Sequence, residues 1–322
     1  MVKSYISFIV LMLAVQHMSF SQVDTIKFRL PENYNTAANY YLKQFSVDST
    51  SGYYAYQTAC YLSLRGVPDS AFIFINRSVE NGVKSEDIIT DTDLRSLHTD
   101  VRWNALMDRL KERYLKANPG IALPEQGVSL WLLGIEDQRF RTLAKNFKLP
   151  SGPQGMMVDG GRLLKEVEAI VKLYGWPTIA MVGEKASEAA FLIVQHANPS
   201  DIKRYLPMVV AAAQRGEIKR KWAAMMVDRH LLNTDGVQLY GTQFSRNGKR
   251  NKVTGIVEWT PLAPEPVVDE ENLAARRKTV GLEPIEERAR DFQVTYIPPL
   301  RREGYRPIKM KGKYVKRGYL FQ

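Results

Sequence analysis

The chain has 322 residues, of which 45% are hydrophobic and 25% charged. That balance excludes disorder over the whole length and leaves room for about two domains, each with its own core. A single cysteine, Cys60, excludes an intramolecular disulfide, and of a net charge of +11 the larger part lies at one end, where eight Lys or Arg residues stand against Glu303 alone after Val294.

The first segment reads as a targeting signal. Lys3 gives a positive start, Tyr5 to Val15 is almost unbroken apolar sequence, and Ser19-Phe20-Ser21 places small residues where a signal peptidase cuts. Residues 1–21 are therefore expected to be removed. The mature chain would be exported to the periplasm or the cell exterior. The alternative, an uncleaved anchor, needs a span of about 20 apolar residues, which this run does not reach. No cysteine stands directly after the run, so a lipid anchor is not expected, and no later stretch is long and apolar enough to span a membrane.

Apolar spacing then predicts helices over Asn35–Phe45 and Tyr53–Arg65, the second ended by Gly66. Asp69 is expected to cap the next helix, whose apolar stripe is Ala71, Phe72, Ile75 and Val79, with Asn81-Gly82 as its stop. Val101–Tyr114 follows, begun by Asp100 and carrying Trp103, Leu106, Met107 and Leu110 on one face. Cys60 lies among apolar neighbours and reads as a small buried hydrophobe. Small Ala59 and Ala71 face each other across Gly66, and Asp91-Thr92-Asp93-Leu94, Leu97, Asp100, Arg102 and Trp103 follow. Over roughly residues 53–115 this resembles a tetratricopeptide helical hairpin with the ending that often follows it in exported bacterial proteins. One hairpin is too few for a solenoid, so the expectation is a short module for protein contact.

Asn118-Pro119-Gly120 to Pro124 marks the boundary. Beyond it the pattern predicts helices over Val128–Phe147, Gly161–Tyr174, Lys185–Ala197, Asp201–Arg215 (capped by Ser200) and Glu217–Leu232. Val237–Ser245 and Lys252–Trp259 read as strands joined through Asn247-Gly248, the strongest short hairpin signal. Glu271–Thr279 reads as a short helix stopped by Gly281. The expected fold is mainly α. It comprises a tetratricopeptide-like module over 22–118, a helical domain with a C-terminal β-hairpin over 125–290, and a basic aromatic tail over 291–322.

The ordered landmarks Asp137-Gln138 with Arg141, Gly175-Trp176-Pro177, Val182-Gly183, Gln195-His196-Ala197, Asp228-Arg229, Gln238, Tyr240-Gly241-Thr242-Gln243 and Arg276-Arg277 with Gly281-Leu282 span about residues 128–286. In this order they resemble a bacterial family of domains of unknown function. That resemblance implies a fold and a set of residues but no reaction.

Helix spacing points to the same residues. Asp137 and Arg141 share a helix face, Gln195 and His196 end a helix that is otherwise nearly all apolar, and Asp228 and Arg229 sit within another apolar helix. Buried groups of these kinds need hydrogen-bond partners. One reading is a cleft in which His196 is general acid or base, Asp137 or Asp228 orients its ring, and Arg141, Arg229, Gln195 or Gln243 binds an oxyanion or carboxylate, with Gln138 and Tyr240 alongside. The other is a satisfied polar network that fixes helix packing. No H-E-x-x-H, C-x-x-C or G-x-S-x-G occurs, so neither a metal, a cofactor nor a serine nucleophile is expected, and His230 reads as surface or cap. The tail interleaves Tyr296, Tyr305, Tyr314, Tyr319 and Phe321 with its cations, a composition suited to anionic glycans or lipid headgroups and, in an exported chain, not to nucleic acid. The alternative is a tail packed on the protein. The favoured reading is an envelope or extracellular binding protein, and its rival is a hydrolase centred on His196.

Overall fold

The computed structural model describes residues 30–146, 160–246, 248–250, 257–259, 262–301 and 303–321. The expected signal segment, 1–21, lies outside them. The chain divides into two compact units, Met1–Ala117 and Asn118–Gln322, both mainly helical.

The first unit runs α1 (Tyr34–Val47), α2 (Gly52–Leu64), α3 (Pro68–Glu80), α4 (Ser85–Thr90) and α5 (Val101–Ala117). The Ser51 hydroxyl caps α2 by accepting the Tyr54 N–H. A Cβ on Gly52 would stand 2.7 Å from the Asn81 carbonyl oxygen, so only glycine lets the start of α2 pass the end of α3. Ala55, Ala59 and Ala71 are fully buried, which brings α2 and α3 close together. Asp69 does not cap α3. Val67 takes that position because Pro68, lacking an N–H, fits the first helical place; Asp69 instead pairs with Arg102 at 2.7 Å. The acidic pattern that follows closes the helical pair. Asp91 accepts the Asp93 N–H and the Tyr56 hydroxyl, Leu94 and Leu97 are buried, Asp100 holds the Arg102 guanidinium, and His98 stacks on Trp103. Cys60 is buried with Sγ 3.4 Å from Asp91, and burial together with that carboxylate pushes its thiol pKa up.

The second unit runs α6 (Pro124–Asn146), α7 (Gly160–Tyr174), α8 (Ile179–Val182), α9 (Glu184–Gln195), α10 (Pro199–Gln214) and α11 (Arg220–Asp235). Helix α9 is central and packs on α6, α7, α10 and α11. Gly134 of α6 meets Ala189 of α9 so closely that any Cβ on Gly134 would overlap the alanine. Helix α7 ends at Gly175 in the left-handed region (φ +79°), as the Gly-Trp-Pro sequence predicts. The next cap differs from expectation. Asn198, not Ser200, caps α10 by accepting the N–H groups of Ser200 and Asp201, again because a proline, Pro199, takes the first helical position.

The strands are short. β1 (Phe244–Ser245) pairs antiparallel with β4 (Ala263–Pro264), and β2 (Gly248–Arg250) with β3 (Val257–Trp259). The expected hairpin turn at Asn247-Gly248 is corrected, since Gly248 is itself paired with Trp259 and the link between β2 and β3 falls in 251–256, outside the described residues. Val237–Tyr240 is not a regular strand either. Gln238 makes one isolated bridge to Val267 while its side chain bonds the backbone of Gln243 and Glu265. Helices α12 (Leu273–Thr279), α13 (Ile285–Asp291) and α14 (Gly312–Lys316) complete the unit.

The tail packs on its own unit. Tyr314, Tyr319 and Phe321 are buried. The Tyr240 hydroxyl donates to the Tyr319 carbonyl (2.8 Å) and accepts the Phe321 N–H, and the Tyr314 hydroxyl donates to Asp235. The tail's exposed face is therefore basic, with Lys309, Lys311, Lys316 and Arg317 on it, and these three rings cannot stack on an outside ligand. His230, expected at the surface, is 5% exposed and lies edge-on to Tyr319. Among the described residues no helix is long and apolar enough to cross a membrane.

Candidate functional site

The polar residues singled out from the sequence separate into two groups. Asp137 and Gln138 lie on α6, and His196 is the residue after α9. The close approach at Gly134 and Ala189 carries the two helices together, and His196 Nδ1 sits 2.8 Å from Asp137 Oδ2. Asp137 also accepts the Gln138 side-chain N–H. The histidine and aspartate side chains are 16% and 11% exposed. Gln195 is buried and donates to the Met225 carbonyl of α11, while its Oε1 has no partner. Arg229 is half-buried on α11. The Arg141 side chain lies outside the described residues.

Asp228 does not join His196. It is fully buried, and all four of its hydrogen bonds run to the loop after α11: from the N–H groups of Leu239 (2.7 Å), Tyr240 (2.9 Å) and Thr242 (2.9 Å) and from the Thr242 hydroxyl (2.8 Å). Burial pushes its carboxyl above the ordinary carboxylate value, and these donors pull it part of the way back. The carbonyls of the same loop are held from the other side. Arg276 Nε donates to Leu239 O, and Arg277 Nη1 donates to Tyr240 O (2.6 Å) and Gly241 O (3.1 Å). Gly241 has φ +64°, and a Cβ there would meet Ile285 at 2.9 Å, so the turn requires glycine. Gln243 bonds within the loop, through its side chain to Thr242 and its N–H to Gln238. The Asp-Arg, Tyr-Gly-Thr-Gln and Arg-Arg motifs are thus largely parts of one fastened turn.

Beside that turn opens a pocket of about 170 Å³. Phe191 of α9, Trp222 and Met225 of α11, and Leu282 give it apolar walls, while Thr242, Arg277 and Glu283 line it with polar groups. Arg277 is 1% exposed and locked: Nε donates to the Glu283 carbonyl at 2.6 Å and Nη1 holds the loop. Its Nη2 is buried without a hydrogen bond, 3.7 Å from the Glu283 carboxylate, beyond hydrogen-bond reach. Trp222 Nε1 is also buried without a partner. Burial lowers the pKa of Arg277 from its ordinary value, with the Glu283 charge opposing. Sequence reading singled out neither Trp222 nor Glu283, and it took Arg277 only as part of a motif. The available signal was an indole in line with the helix's buried apolar face, Ala223, Met226 and Val227, which reads as core.

Among the described residues, Cys60, Asp91 and Asp93 of the first unit are the one group spaced to share a metal ion. Asp91 already accepts the Tyr56 hydroxyl and the Asp93 N–H, and burial pushes the Cys60 thiol pKa up.

Residues 154–297 match the model of a family described as a family of unknown function, DUF6624. That stretch holds the fastened turn and the pocket, and leaves out Asp137 and the packed tail. No curated protein and no solved structure matches the chain.

Proposed function

We propose that the protein is exported and binds a small molecule in the pocket between α9, α11 and the 277–288 segment, with the first unit serving as a tetratricopeptide-like module for protein contact. The observation that carries the binding reading is that two buried donors without a hydrogen bond, Arg277 Nη2 and Trp222 Nε1, belong to residues lining one pocket. Buried polar groups are nearly always paired, and of the buried side-chain atoms without a hydrogen bond among the described residues these two fall at one concave site, where a ligand acceptor would satisfy both. A thermal-shift screen of small metabolites on the full chain, repeated on Leu282→Trp to fill the pocket, tests it. Ligands that raise the melting temperature of the wild-type chain and not of the variant support the reading. A screen in which no compound distinguishes the two chains ends it. Export rests on the 1–21 signal pattern, and the mass of the protein recovered from cells tests it, with a start near Gln22 expected.

A second reading, acid–base catalysis at His196, is favoured by the 2.8 Å contact between its Nδ1 and Asp137. A carboxylate there fixes the tautomer and leaves Nε2 to handle protons. Among the described residues, however, no nucleophile or unpartnered oxyanion donor is paired with the ring. Comparing His196→Gln with the wild-type chain separates the roles. Loss of ligand turnover with the melting temperature preserved supports catalysis. A lowered melting temperature as the only change assigns the pair to packing.

A further inference from the structure

We infer that the pocket takes a small apolar monocarboxylate, with Arg277 Nη2 and Trp222 Nε1 as its hydrogen-bond donors and Glu283 as the side chain it displaces. This rests on the pocket being a binding site, and four observations narrow the ligand. The two atoms without partners are both donors, and neither an indole nor a guanidinium can accept. The ligand group that meets them must therefore be an acceptor, which excludes an ammonium group. The charged lining comprises Lys221, Arg277 and Arg288 against Glu188 and Glu283, one cation in excess, which matches a single negative charge. The guanidinium plane is fixed in advance by the Glu283, Tyr240 and Gly241 carbonyls, so once the Glu283 side chain moves aside, bonding Nη2 costs no ordering of the arginine. Apart from Thr242, the remaining walls, including Phe191, Met225 and Leu282, are apolar. A cavity of about 150 Å³ accepts one benzene ring, so the roughly 170 Å³ here suits a body of that size.

Glu283 explains how the charge is managed when the site holds no ligand. Its carboxylate stands 3.7 Å from Nη2, near enough to offset the cation and too far to hydrogen-bond it. Its side chain is 39% exposed, so it has solvent to swing into. A ligand carboxylate at hydrogen-bond distance replaces that long contact with a shorter, charge-assisted one.

Calorimetric titration of the full chain with benzoate, benzamide and inorganic phosphate tests the inference. Benzoate is expected to saturate with one site per chain, with benzamide and phosphate binding about 10-fold or more weakly, the span of one charge-assisted hydrogen bond. Glu283→Gln removes the competing carboxylate and leaves the main-chain bond to Arg277 Nε, so it should tighten benzoate several-fold. Arg277→Lys should weaken benzoate about 10-fold or more. If that variant does not fold, Glu283→Gln alone decides. Equal binding of benzamide, tighter binding of phosphate, or weaker benzoate binding by Glu283→Gln overturns the carboxylate assignment while the pocket remains a binding site. No saturable binding by any of the three, together with a metabolite screen blind to Leu282→Trp, removes both.

Discussion

The Leu239–Thr242 turn and the pocket beside it share Arg277 and Thr242 yet follow opposite rules. In the turn, a buried carboxylate takes the N–H groups and two arginines take the carbonyls. In the pocket, two donors as deeply buried have no partner. Two neighbouring regions made from the same kinds of residue therefore do different work. A fully satisfied network fixes one conformation, and an unsatisfied edge keeps its capacity to bond for something outside the chain.

Substitutions should separate the two regions by the size of their effect. Asp228→Ala leaves three buried N–H groups without an acceptor and should cost about 4 kcal/mol, read as a large drop in the denaturant midpoint of the second unit. A loss under about 1 kcal/mol would mean that water reaches the turn and that the contrast with the pocket is false. Gly241→Ala combines a left-handed backbone with a Cβ against Ile285, and about 2 kcal/mol is expected in the same assay.

A smaller effect should appear with pH. Burial depresses the His230 pKa below its ordinary 6.5, and the nearby Arg317 and Lys203 add to this while Asp235 opposes. The unfolded chain then binds the proton more readily than the folded one. This contribution to stability is present above about pH 6.5 and is lost as pH falls through the folded value. The melting temperature should decline over that window, and His230→Gln should flatten the decline; an unchanged slope would show that His230 is not its source. The smallest effect belongs to the pocket. Glu283→Gln breaks no side-chain hydrogen bond but removes the partly exposed charge that offsets Arg277, so it should cost no more than about 1 kcal/mol, measured without ligand. A large shift would make Glu283 a structural partner of Arg277.

Most helices could be read from apolar spacing, because a buried stripe leaves a period in the sequence. The caps of α3 and α10 were misplaced for a shared reason. Pro68 and Pro199 each take the first helical position, which puts the cap at Val67 and Asn198, two residues earlier than the Asp69 and Ser200 signals suggest. The Asp137–His196 contact could be anticipated, since polar residues on two apolar helices need each other. The destination of Asp228 could not, because its partners are mostly backbone N–H groups, which every residue carries and no sequence pattern marks. The pocket was invisible for a related reason. An orphaned Nη2 depends on where the other arginine nitrogens are spent, and those bonds go to carbonyls 36 and 37 residues away.

The bond from the Tyr240 hydroxyl to the Tyr319 carbonyl closes a loop of 79 residues. Such distant closure is slow to find and is made late in folding. The segment bearing Tyr314, Tyr319 and Phe321 also lies beyond residue 297, where the family match ends. A chain cut at that edge would keep the fastened turn but strip the cover from Tyr240 and His230. The stretch recognised by likeness and the stretch that folds as a unit thus have different ends, and the kinetics of refolding should report the second.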